Sequence, residues 1–168
     1  MLYLCAGLGL GQQPASPNHQ AGEYDVKAAY LLNFAKFVEW PEGELGNQET
    51  FGICILGEDP FGETLDQIVA GETVAGKRVV VQRIRRWQTS CRVLFVGRSE
   101  QDISSLLGGV GNGVLTVGDT EGFLRGGGMV NFVVEDRRVR FDINQRAVKR
   151  GALNISSRML TVARRVQP

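Results

Sequence analysis

The sequence predicts a layered α/β domain, with a sheet that is parallel in its first part and carries an antiparallel hairpin at one edge. Three observations predict it. Short apolar runs alternate with helix-like segments along most of the chain. Two such runs, at 129–134 and 138–143, flank the turn Glu135-Asp136-Arg137 as a hairpin does. The 168 residues, 43% hydrophobic and 22% charged, suit one domain with a sizeable core, and the 22 glycines suit many tight turns.

The chain begins with apolar residues 1–10 (MLYLCAGLGL), then a polar stretch holding Pro14 and Pro17. This resembles the apolar part of a secretory signal without its basic leader, with a cleavage near Ala15. Residues 1–22 are therefore read as a signal remnant and disordered leader, and 23–168 as the folded domain. Cys5 does not read as a lipidation site, because bulky Tyr3 and Leu4 precede it.

The first helix is VKAAYLLNFAKFVEWP, residues 26–41, with Asp25 expected as its N-cap. At 100° per residue, Val26, Tyr30, Leu31, Phe34, Ala35, Phe37 and Val38 share one broad face. Asp25, Asn33, Lys36 and Glu39 gather opposite. Lys27 interrupts the apolar face and is expected to extend its amine outward to water. Pro41 ends the helix, since the residue before proline avoids helical dihedrals. Sixteen residues with internal charges are too few to span a bilayer. The helix is expected to build the core, with partner binding as the competing role.

Residues 51–56 (FGICIL) read as a buried strand ending at Gly57. Asp59 is expected to cap a helix that has Pro60 at its first position and Gly71 as its stop. Strands follow at 77–82, after a turn at Val74-Ala75-Gly76, and at 92–96. Ser99 and Asp102 suggest a capping box for a helix at 100–107. A fourth strand at 114–117 leads to a short helix at 119–124. The hairpin brings the count to about six strands, and helices at 144–149 and 156–165 close the chain. In the last strand Val139, Phe141 and Ile143 point one way and Arg138, Arg140 and Asp142 the other, predicting an exposed basic face.

Charge is polarised along the chain. Residues 1–75 hold 11 acids and 2 bases, and 76–168 hold 7 acids and 17 bases, although the net charge is only +1. Such polarity steers a partner or pairs two copies, unless folding interleaves the halves. No basic run is interleaved with stacking aromatics, so nucleic acid is not an expected partner.

Chemistry is sparse. The only histidine, His19, lies in the leader, which argues against histidine catalysis or zinc ligation in the domain. Gly108 to Gly113 (GGVGNG) precedes a strand instead of joining strand to helix, so it offers no phosphate cradle. Gly126-Gly127-Gly128 is expected to serve a tight turn. Asp119 with Glu121 is a candidate carboxylate pair, but a strand-to-helix cap explains Asp119 more simply. Cys54 and Cys91 fit no metal motif, and they are either one disulfide or two buried thiols. A bridge would stabilise by about 4 kcal/mol in the chain-entropy picture. No metal or cofactor is expected, and a binding protein is favoured over an enzyme.

Several ordered blocks carry a resemblance to the YfiR family of small periplasmic regulators over residues 24–166. They are VKAAYLLNFAKFVEWP at 26–41, ICILGEDPFG at 53–62, GKRVVVQR at 76–83 and CRVLFVGRSE at 91–100. VLTVGD at 114–119, GGGMVNF at 126–132, VRFDIN at 139–144 and GALNISSRMLTVAR at 151–164 continue the series. The resemblance implies a Rossmann-like sheet with helices on both faces, export to the periplasm, a homodimer and no catalysis. It implies restraint of an inner-membrane diguanylate cyclase through its periplasmic domain, and so control of cyclic di-GMP and biofilm. An OmpA-type outer-membrane lipoprotein would draw the repressor away. Cys54 and Cys91 occupy the positions of the family's structural disulfide, while a second cysteine pair present in some members is missing. Tyr30, Phe34, Arg138 and Arg140 are the candidate partner contacts. The competing reading is a periplasmic receptor for a small anionic ligand held by Arg138, Arg140 or other arginines. The mature domain is not expected to insert into a membrane.

Overall fold

The computed structural model describes residues 18–41, 43 and 46–168. In chain order the elements are α1 (Asn18–Phe37), β1 (Val38–Glu39), β2 (Thr50–Leu56), α2 (Glu63–Val69), β3 (Thr73–Val74), β4 (Lys77–Ile84) and β5 (Cys91–Val96). Then come α3 (Ile103–Gly108), β6 (Leu115–Gly118), β7 (Val130–Glu135), β8 (Arg138–Asn144), α4 (Gln145–Arg150), β9 (Asn154–Ile155), α5 (Ser157–Val162) and β10 (Arg165–Gln167).

The main sheet has eight strands in the order β10-β8-β7-β6-β5-β2-β4-β3, not the expected six. Strands β4, β2, β5, β6 and β7 are mutually parallel, and taken alone their order is 2-1-3-4-5. That is an order of doubly wound sheets, distinct from the 3-2-1-4-5-6 of the dinucleotide-binding type. The β7–β8 hairpin is antiparallel, as the sequence suggests, and Asp136 and Arg137 both take positive φ in its tight turn. It is not the edge, however. Strand β10 pairs parallel to β8, Arg165 to Asp142 through Gln167 to Asn144.

Alternation along the strands sorts the core onto two faces. Phe51, Ile53, Ile55, Val93, Phe95, Leu115 and Val117 face α1, α2, α4 and α5. Cys54, Leu56, Leu94 and Val96 face the other way, toward α3 and Trp87. Helices therefore cover both faces.

Several local expectations are corrected. Helix α1 opens at Asn18 instead of at Val26 behind an Asp25 cap, since no proline interrupts residues 18–25 and Asp25 is carried inside the helix; of the 1–22 leader, residues 1–17 lie outside the described residues. The helix ends at Phe37, and Val38–Glu39 pairs with β9 instead of continuing it. The Trp40 indole donates to the Ala35 carbonyl at 2.9 Å, satisfying a group that the ending helix leaves open. Helix α2 starts at Glu63, not Pro60: the Asp59 carboxylate accepts from the Phe61 N–H and from Arg83 and so does not cap it. The cap of α3 is Asp102, accepting from the Ser105 N–H, while the Ser99 hydroxyl accepts from Glu58 N–H. Residues 119–124 form turns, with no helix for Asp119 to cap. The last helix stops at Val162, and Arg165–Gln167 becomes β10.

Two glycines are explained by close approach. A Cβ on either Gly118 or Gly128 would overlap the Phe123 ring, which lies between them under the sheet's end. The glycine run therefore seats an aromatic side chain as well as turning the chain.

Candidate functional site

Two surfaces stand out, and α1 contributes to both. The first is an apolar groove of about 540 Å³ between α1, β8 and α5. Phe34 forms its floor at 1% exposure, held edge-on to Phe141 at 4.8 Å and stacked near Phe132 at 5.6 Å. Tyr30, half-buried, makes a wall, stacked on Phe34 at 5.6 Å and edge-on to Phe141 at 5.4 Å. From α5, Met159 and Val162 complete it, and Val162 is 58% exposed at the rim.

The second surface is a polar cleft of about 590 Å³ at the end of the sheet where β5 and β6 finish. Lys27 projects into it from α1 at 1% exposure, so the expectation that its amine reaches water is overturned. The sheet end closes over it, and the ammonium finds its partners inside. It bonds the Asp119 carboxylate at 2.9 Å and Glu23 at 2.5 Å, and it lies 4.3 Å from the centre of the Tyr24 ring. A buried ammonium is tolerable only with such compensation. The exposed Val26, at 45%, shows the same rotation of the helix face away from the expected one.

Asp119 is the hub of this cluster. Its Oδ2 accepts from both Lys27 and the Tyr24 hydroxyl, the latter at 2.8 Å. Arg98, at the C-terminal end of β5, approaches its Oδ1 at 3.3 Å. Burial, and then the hydrogen bond to this carboxylate, push the Tyr24 phenol above its ordinary range. Partial burial pulls the Arg98 guanidinium down, but the charge of Asp119 leads the effects that leave it raised overall. The pairing of Asp119 with Glu121 is not seen: Glu121 is exposed, and the partners of Asp119 are basic or phenolic. At the far wall Arg164 grips Asp142 with two bonds of 2.8 and 2.6 Å, a fork-to-carboxylate geometry, and also meets Glu135. Asp142 is consequently buried, and the polar face of β8 is exposed only toward the hairpin tip.

The sequence-predicted candidates are divided. Tyr30 and Phe34 meet in the apolar groove, whereas Arg138 and Arg140 sit near the hairpin tip, opposite Glu135 and Val133 and on the other sheet face from Phe141. Cys54 and Cys91 form a disulfide joining neighbouring strands β2 and β5, with Cα atoms 5.6 Å apart. Sequence reasoning missed Lys27, Arg98, Asn131 and Arg164. The available signal was Lys27 itself, a lysine in the middle of an apolar stripe, and an aspartate directly after an apolar strand. Among the described residues, no group of three or more His, Cys, Asp or Glu is placed to hold a metal, and no helix is long and apolar enough to cross a membrane.

Comparison with known proteins adds three findings. The model of the YfiR/HmsC-like family matches residues 24–164. No curated protein matches the chain. Among solved structures, a conserved domain protein from Vibrio cholerae O1 biovar El Tor str. N16961 is similar, with a TM-score of 0.53 at 11% identity. The match covers 83% of this chain and 60% of that one, and at that identity it shows a shared fold alone.

Proposed function

This chain belongs to the YfiR/HmsC-like family, and from that premise we propose that it is a periplasmic, non-catalytic regulator that restrains an inner-membrane diguanylate cyclase. The observation that carries the reading is the groove between α1 and α5. It is concave, lined by Tyr30, Phe34, Phe141 and Met159, and open beside the exposed Val162. Rigid aromatic rings in an apolar depression suit the anchoring of a partner's side chains or an amphipathic helix. Restraint then follows from differential binding. A repressor that prefers one arrangement of the cyclase's periplasmic domain shifts the cyclase toward it, lowering cyclic di-GMP and with it biofilm formation. An OmpA-type outer-membrane lipoprotein would relieve the restraint by taking up the repressor, and a homodimer is part of the same reading.

The test is calorimetric titration of the purified protein with the periplasmic domain of a cyclase encoded beside it. Val162→Asp places a charge at the rim without touching the core, and it should weaken binding at least about tenfold, or about 1.4 kcal/mol, with unchanged thermal stability. No binding by the unaltered protein, or equal binding by the variant, would remove the support for this reading.

A further inference from the structure

We propose that the polar cleft at the sheet's end is a binding site for a small hydroxylated di- or tricarboxylate. The proposal goes beyond the regulatory reading and does not depend on it. In open α/β sheets, ligands bind outside the carboxyl ends of the parallel strands, by rule at the point where strand order reverses. Here that point lies between β2 and β5, and it is closed. The Gly97 N–H donates to the Leu56 carbonyl at 2.8 Å, and the Glu58 N–H donates to the Ser99 hydroxyl at 2.9 Å. The opening lies further along the same edge, past β5 and β6, where the cavity of about 590 Å³ has the size of a small-solute pocket.

Its lining specifies the chemistry. Five basic side chains, Lys27, Arg98, Arg125, Arg164 and Arg165, line the cleft with three acidic ones, Asp119, Glu121 and Asp142, while Glu23 and Glu135 pair with Lys27 and Arg164 from beside it. Lys27 and Arg164 are held by carboxylates at 2.9 Å or less, but Arg125 and Arg165 are exposed and make no ion pair among the described residues. Arg98, 58% exposed, only half-engages Asp119. The cleft therefore has guanidinium forks for more than one carboxylate. Within it, Asn131 is nine-tenths buried, and its Oδ1 has no hydrogen-bond donor. An unpaired buried carbonyl is costly, and such groups mark sites where a partner is missing. The terminal amide torsion is broad, so this oxygen can turn to meet a ligand donor. That donor is better a hydroxyl than an ammonium, because the cations left without a full ion pair, Arg98, Arg125 and Arg165, would repel a further cation in the cleft.

The test is titration of the full chain, by calorimetry and thermal shift, with L-malate, citrate, succinate, L-glutamate and inorganic phosphate. Malate or citrate should bind more tightly than succinate, which lacks the hydroxyl, and than glutamate, which has an ammonium in its place. The double variant Arg125→Gln/Arg165→Gln removes only exposed side chains and should weaken binding at least about tenfold, the equivalent of one charge-assisted hydrogen bond. Asn131→Ala should abolish the preference for malate over succinate. The proposal is overturned if none of the probes binds, if succinate, glutamate or phosphate binds as well as malate and citrate, or if the arginine variant binds unchanged.

Discussion

On the α1 face of the sheet, four helices cover a core rich in phenylalanine, with Phe34, Phe51, Phe95, Phe132 and Phe141 all buried. On the opposite face the strand residues Cys54, Leu56, Leu94 and Val96 lie under α3, a helix of six residues with no fully buried side chain, and under the half-buried Trp87. The thin cover coincides with the disulfide. Where apolar burial is scarce, a covalent link between β2 and β5 supplies stability through the unfolded state. The thick cover coincides with the opposite device, a buried ammonium and carboxylate at the margin of an aromatic core. Such a pair adds little net stability but becomes expensive when it is broken.

The sharpest way to break the contrast is at Asp119. Asp119→Ala leaves Lys27 buried with Glu23 as its one remaining carboxylate beside the Tyr24 ring, and should cost about 3–5 kcal/mol. Lys27→Met combined with Asp119→Leu should recover most of that loss, because both charges leave together. Urea unfolding of the single and double variants measures both. A single variant within about 1 kcal/mol of the unaltered protein would mean that the pair is solvated in solution.

The disulfide comes next. Replacing Cys54 and Cys91 together by alanine opens a link with a sequence separation of 37 and should lower stability by about 4 kcal/mol. Reductant should lower the melting temperature of the unaltered protein and leave that of the double variant in place. If the double variant unfolds at the same urea concentration as the original, the thin face does not need its covalent link, and the contrast fails.

What the sequence revealed of this architecture depended on how local each cause is. Strands β2 and β5, buried on both faces, announce themselves as unbroken apolar runs, and the β7–β8 hairpin shows its alternation and its turn. Strand β10 does not: Arg165-Val166-Gln167 has no period of its own and is held only by its register with β8. Helix α2 begins later than its sequence suggests because Asp59, a residue type that caps helices, accepts from Phe61 N–H and Arg83 instead. The groove was half legible, since Tyr30 and Phe34 belong to an amphipathic pattern, but its α5 wall comes from residues far along the chain. The cleft was illegible. Lys27 looks like a snorkelling lysine until Asp119, 92 positions away, is brought against it.

A smaller effect tests the seam between the two faces. Gly128→Ala would drive a methyl group into the Phe123 ring, which belongs to the thin-face core. Overpacking of this kind costs about 1–3 kcal/mol. Phe123→Leu in the same chain should return part of the loss. Full additivity of the two substitutions in chemical denaturation would show that the ring and the glycine do not meet.

The smallest effect is at Tyr24, and it separates the electrostatic margin from the apolar core by its pH dependence. Removing the hydroxyl with Tyr24→Phe deletes one hydrogen bond to Asp119 at a half-buried site, a loss of about 1 kcal/mol near neutral pH. The phenol in the folded protein ionises above its ordinary value of 10.0, first because it is partly buried and then because Asp119 accepts its proton and opposes a phenolate; Glu23 adds to this and Arg98 offsets part of it. The stabilisation is therefore fully present below about pH 10 and declines as pH rises above it, where the unfolded chain loses this proton and the folded one keeps it. The stability gap between the two proteins should hold steady from about pH 8 to about pH 10 and narrow from there to about pH 11. A core substitution such as Phe141→Leu should show no such narrowing, since no proton is linked to its packing. A gap for Tyr24→Phe that stays constant over that range would place the hydroxyl in water and detach Tyr24 from the charged margin.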